Sequence, residues 1–102
     1  MTLLWKIKQL LHPWRKYIVI IKGSPSTEDT RRDRNVIRRA LELSGVAKAE
    51  VFGYDSLLVT TERNKQWIRD KIEFLAKNEM LSSKSVFAAR IGFISWKFKE
   101  SV

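Results

Sequence analysis

A chain of 102 residues with 44% hydrophobic and 11% aromatic content carries enough apolar material for one small domain with a single core, and too much for a disordered segment. It has no cysteine and one histidine, His12, which excludes disulfides, thiolate metal sites, cysteine nucleophiles and any two-histidine constellation. Its net charge of +9 points to a polyanionic partner, nucleic acid or an acidic protein surface, or else to a basic protein kept soluble by its charge.

Residues 1–13 open the chain. Leu3, Leu4, Ile7, Leu10 and Leu11 recur at helical spacing, with Lys6, Lys8, Gln9 and His12 opposite them, so an amphipathic helix is predicted from Thr2 to Leu11. Pro13 ends it. Trp5 falls off the apolar stripe and, with the two lysines, could sit at a membrane surface. Docking of this stripe on its own domain or on a second copy is the preferred expectation. No apolar stretch reaches the ~20 residues of a membrane span. Lys6 and Lys8 interrupt what would be the core of a secretory signal, so a cytoplasmic protein is expected.

The segment Lys16–Gly23, KYIVIIKG, holds the longest β-branched apolar run and reads as a strand buried on both faces. SPSTED then reads as a helix start, capped by Ser24 before Pro25 or by Ser26 with Asp29 three residues on. The helix is predicted to run to about Ser44, where Gly45 stops it. Val36, Ile37, Ala40 and Leu43 are its expected buried stripe. Arg31, Arg32, Arg34, Arg38 and Arg39 would form a cationic face opposite. Charge is concentrated here: residues 1–39 hold 10 Lys and Arg against 3 acids, and residues 40–102 hold 10 against 8.

AKAEVFGYDSLLVTTE reads as two strands joined by a turn at Gly53-Tyr54-Asp55. The first alternates apolar and charged residues and belongs near an edge. The second, around Leu57-Leu58-Val59, belongs in the centre. A second helix is predicted from about Arg63 to Met80, with Trp67, Ile68, Ile72 and Leu75 inward. Arg69 with Glu73, and Glu73 with Lys77, would pair on its outside. After the polar loop Leu81–Lys84 a last strand is expected from Val86 to about Phe98, changing phase at a bulge near Gly92.

The expected organisation is one domain, 1–102, with the N-terminal helix (1–13) preceding two divergent β-α-β halves (14–54 and 55–99). Interleaved, such halves give a ferredoxin-like α+β sandwich with strand order 4-1-3-2. A cysteine-free, basic chain of this size, with two divergent β-α-β halves and no site motif, resembles the small orphan proteins of filamentous viruses that infect hyperthermophilic archaea. That resemblance implies a viral protein in the host cytoplasm and points to no particular activity. A CRISPR-associated nuclease family shares the layout, but its first strand ends in an acidic metal ligand. Here the corresponding residues are Lys22-Gly23-Ser24.

Three functional classes are open to such a chain. Catalysis is disfavoured: the acids are interspersed with Lys and Arg on helix surfaces, as solvated faces are. KGSPST lacks the Gly-Lys-Ser/Thr of a phosphate loop and reads as a capping turn. No catalytic residue, metal ligand or cofactor is expected. The leading expectation is a non-enzymatic module that binds a protein or peptide at a sheet edge or in the groove between its halves, using Tyr54, Phe93, Trp96 and Phe98. The alternative is nucleic-acid binding without sequence preference through Arg31, Arg32, Arg34, Arg38 and Arg39. Sheet-face RNA reading is disfavoured because the strand from Ser56 carries no aromatic residue. A homodimer is admitted as an assembly state, and a membrane surface is the least favoured partner.

Overall fold

The computed structural model describes residues 15–91. The expected N-terminal helix, Phe93, Trp96, Phe98 and the phase change at Gly92 lie outside the described residues. Six elements follow in the expected order: β1 (Arg15–Lys22), α1 (Thr27–Leu43), β2 (Ala47–Gly53), β3 (Ser56–Thr61), α2 (Lys65–Lys77) and β4 (Ser85–Ile91). The chain is thus an α+β unit of one four-stranded sheet and two helices. Every strand pair is antiparallel, in the order β2-β3-β1-β4. The two strands with apolar residues at successive positions, β1 and β3, are the central ones.

Register explains where the core sits. Tyr17 is opposite Val59, Val19 is opposite both Leu57 and Ala88, and Ala49 is opposite Val59. Directly opposed residues share a sheet face, so these side chains and Ile21 form one apolar surface. Ile37 and Leu41 of α1 and Ile68, Ile72 and Leu75 of α2 cover it, and all are buried. Each such aliphatic side chain contributes about 1.5–3 kcal/mol gross on burial. The phenol of Tyr17, deep in this layer, donates to the Arg63 carbonyl at 3.0 Å, which satisfies its one polar group.

The opposite sheet face carries Ile18, Ile20, Leu58, Phe87, Ala89 and Ile91. Both helices pack on the first face, so Ile18, Ile20 and Leu58 are only half-buried and Phe87 is 55% exposed. The expectation of a β1 buried on both faces is met on one side alone among the described residues.

The buried stripe of α1 differs from the sequence expectation. It consists of Thr30, Asp33, Ile37 and Leu41, spaced three, four and four apart. Val36 and Ala40 flank it, and Leu43 is 78% exposed. The expected stripe, which includes Leu43 and leaves out Asp33, is rotated about the helix axis from the observed one. Arg34 and Arg38 therefore sit beside the buried stripe and not opposite it.

Helix ends follow capping chemistry. Ser26 is the N-cap of α1: its hydroxyl accepts from the Asp29 amide at 3.1 Å and donates to the Asp29 carboxylate at 2.8 Å. Asn64 caps α2 through the Trp67 amide at 3.0 Å, so α2 starts later than expected. It also stops earlier. The amides of Glu79 and Met80 donate back to the Ala76 and Leu75 carbonyls, with Glu79 at φ 57°, the paired hydrogen bonds of a Schellman ending. Neither Arg69–Glu73 nor Glu73–Lys77 closes to an ion pair. Lys71 instead lies over the half-buried Trp67 ring, 5.7 Å from its centre.

The β2–β3 hairpin turns at Tyr54-Asp55. Register slips by one residue between Val51 and Gly53, making Phe52 the extra residue of a bulge that is 67% exposed. A Cβ at Gly53 would stand 2.9 Å from the Ser56 hydroxyl, so a larger residue there would have to displace that side chain.

Candidate functional site at the sheet edges

A sheet with two edges offers two rows of unpaired backbone groups. The structure treats the two rows differently. At the β2 edge, α1 lies alongside the strand and its side chains reach over. Arg38 Nε donates to the Ala49 carbonyl at 3.1 Å, and the Ala49 amide donates to Glu42 Oε2 at 3.3 Å. Arg38 and Glu42 also pair at 3.6 Å. Arg34 Nη1 donates to the Gly53 carbonyl at 3.2 Å, steadied by Asn35 Oδ1, which accepts from its Nε and Nη2. Arg38 and Glu42 therefore occupy both outward-facing backbone groups of Ala49, and Arg34, one turn earlier on the helix, holds the carbonyl at the end of β2. An incoming strand would have to displace them.

The arginines are consequently not one solvated face. Arg32 pairs with Asp29 and donates to Ser82 Oγ at 2.8 Å, bridging α1 to the loop before β4. Arg34 and Arg38 guard β2. Arg31 and Arg39 are exposed and make no side-chain hydrogen bond or ion pair among the described residues.

Asp33, which the sequence reading did not single out, is 0% exposed. Its carboxylate accepts from the Ser82 amide at 3.0 and 2.9 Å and from the Ser83 amide at 2.6 Å. A buried carboxylate that ties down successive amides holds the Leu81–Lys84 loop, and so fixes where β4 begins. The signal was present in the sequence: Asp33 falls in helical phase with Ile37 and Leu41, and two serines stand in the loop it meets.

At the β4 edge nothing comparable occurs. β4 pairs with β1 on one side, and no described element pairs or covers its other side. Phe87 projects beside this edge on the uncovered sheet face, with Ala89 and Ile91 next along the strand. Cations stand at both ends: Lys22 lies opposite Ser85, which follows Lys84 of the loop, and Lys16 lies opposite Ile91, which follows Arg90. All four are exposed.

Of the aromatic residues expected to form a binding site, only Tyr54 is described. It is 53% exposed in the hairpin turn, separated from β4 by β1. It lines an open hollow of about 410 Å³ with Lys22, Gly23, Ser24, Thr27 and Asp55. KGSPST forms one wall of that hollow as the expected capping turn: Asp29 and Ser26 satisfy each other at the helix start, and Asp55 adds a carboxylate that opposes an anion. The described strands of the two halves leave no gap between them in the sheet. They interleave, and the β2–β3 and β1–β3 boundaries are paired ladders. Among the described residues no cluster of three His, Cys, Asp or Glu could hold a metal ion, and no helix is long and apolar enough to cross a membrane.

Comparison with known proteins adds one fold likeness. No family model matches the chain, and no curated protein matches it. Among solved structures, the structured domain of Drosophila melanogaster Boca is similar at a TM-score of 0.46 and 15% identity, covering 78% of this chain and 99% of that one.

Proposed function

We propose that this chain is a non-enzymatic interaction module that holds an extended protein segment as an added strand on the free edge of β4. The observation that carries the reading is the contrast between the edges among the described residues: side chains of Arg34, Arg38 and Glu42 hold backbone groups of β2, while no described element pairs with the outer side of β4 or covers the apolar face beside it. Strand addition gains affinity from backbone hydrogen bonds and selectivity from alternate side chains. Phe87, Ala89 and Ile91 would receive one set of these; Phe93, Trp96 and Phe98, proposed from the sequence as further contacts, lie outside the described residues. Tyr54 drops out of the site because of its place in the hairpin. The strand order and antiparallel pairing also support classing the fold as ferredoxin-like. The setting proposed from the character of the sequence is the host cytoplasm of an archaeal virus.

Ten-residue peptides selected from a random display library, mapped by amide hydrogen exchange, test the proposal. Selected peptides should slow exchange along Ser85–Ile91 and leave β2 unchanged. Protection confined to β2, or no selectable peptide, would sink it. The nucleic-acid alternative rests on Arg31 and Arg39, which, of the five α1 arginines, make no side-chain hydrogen bond or ion pair among the described residues. A titration with mixed-sequence DNA and RNA at two salt concentrations tests it. Tight binding whose salt slope falls by about 2 in Arg31→Gln/Arg39→Gln, at roughly 0.9 per phosphate contact, would favour that alternative.

A further inference from the structure

From the charges around β4 we infer the chemistry of the segment it takes: an apolar, alternating strand with acidic residues at both ends. This rests on the strand-addition reading and adds a partner class to it. β1 and residues 84–91 contain Arg15, Lys16, Lys22, Lys84 and Arg90 and no acid. The register sorts these cations to the two ends of β4 and leaves Val86 to Ala89 uncharged between them. Acids on neighbouring elements are otherwise placed: Asp29 is paired with Arg32. Asp70 and Glu73 are on the exposed side of α2, the Asp33 carboxylate is taken by the loop amides, and Asp55 sits in the hairpin turn on the β3 side of β1, where its carbonyl accepts from the Ile21 amide at 2.8 Å.

Spacing sets the length of the segment. At about 3.4 Å per residue, seven strand residues span roughly 20 Å between the cation pairs. Acidic residues about six to eight positions apart would then meet Lys22 and Lys84 at one end and Lys16 and Arg90 at the other. Between them, side chains at every second position lie beside Phe87, Ala89 and Ile91. The same charges argue against a second copy of this chain as the occupant. Antiparallel self-pairing of β4 sets the cations at one end of one copy beside those at the other end of its neighbour, and opposed like charges are destabilising.

The experiment compares two synthetic strands with one alternating Val-Thr centre, one flanked by two glutamates at each end and the other by two lysines. Binding is followed by fluorescence anisotropy and by amide exchange of Ser85–Ile91, with sedimentation reporting self-association of the protein alone. The acid-flanked strand should bind about tenfold more tightly at low salt, and the preference should shrink severalfold in 0.5 M salt. In Lys16→Gln/Lys22→Gln/Lys84→Gln/Arg90→Gln, whose changes are all at exposed positions and whose fold is checked by circular dichroism, the preference should vanish. Equal binding of both peptides with β4 protected would overturn the charge inference and leave strand addition standing. No protection by either peptide would overturn both. A dimer of the free protein that protects β4 would make a second copy the occupant and overturn the acidic-partner inference.

Discussion

Two residues in this chain do work that their neighbours in sequence do not advertise. Asp33 is a charge removed from water, tolerated because two amides of the Leu81–Lys84 loop point at it. Replacing it by alanine leaves those amides without partners in a partly buried site. At about 1–3 kcal/mol for each lost satisfaction, Asp33→Ala should cost roughly 2–4 kcal/mol of unfolding free energy in urea titration. It should also raise exchange at Ser82, Ser83 and the start of β4 before the rest of the sheet. Glu79 is the converse case. It adopts φ 57° at the end of α2, where Gly45 with φ 78° serves α1. A side chain in that left-handed region is strained, and glycine is not. Glu79→Gly should therefore stabilise the protein by about 0.5–1 kcal/mol, read as a rise in thermal midpoint.

At the scale of elements, the order of strands and helices was legible because hydrophobic period and turn residues agree along the chain. The doubly apolar runs at Ile18–Ile21 and Leu57–Val59 are central, and the alternating AKAEVFG is an edge, as their patterns require. Helix phase was less legible. One apolar residue at a helix end, Leu43, and one buried acid, Asp33, were enough to rotate the face of α1 and turn edge guards into a supposed cationic surface. Periodicity weighs residue types and cannot see that a carboxylate has amides waiting for it. The edge guard is testable by itself. Arg38→Ala/Glu42→Ala frees both backbone groups of Ala49, and because these side chains are largely solvated the change in stability should stay below about 1 kcal/mol. Its expected effect is concentration-dependent self-association in sedimentation, through a β2 edge that is no longer blocked.

For the whole molecule, the question is what covers the second sheet face. Ile18, Ile20 and Leu58 occupy the two central strands, yet both helices pack on the other side. Residues 1–14 join the fold at Arg15, the first residue of central strand β1, and carry the five-residue apolar stripe from Leu3 to Leu11. If that stripe covers the face, its burial is worth about 10 kcal/mol gross before the entropy of ordering it. Deleting residues 1–13 should then lower stability sharply or cause aggregation, measured by urea titration and light scattering. A soluble, equally stable deletion variant would return this segment to the membrane-surface reading.

The unequal edges also fix a number. A sheet open on both sides can accept strands from two directions and propagate without limit, whereas a sheet with one side stoppered has a valence of one. On the strand-addition proposal, Arg34, Arg38 and Glu42 would close the β2 side. A segment that adds to β4 should form a closed one-to-one complex, with a single step in a stoichiometric titration and no growth into fibres as concentration rises.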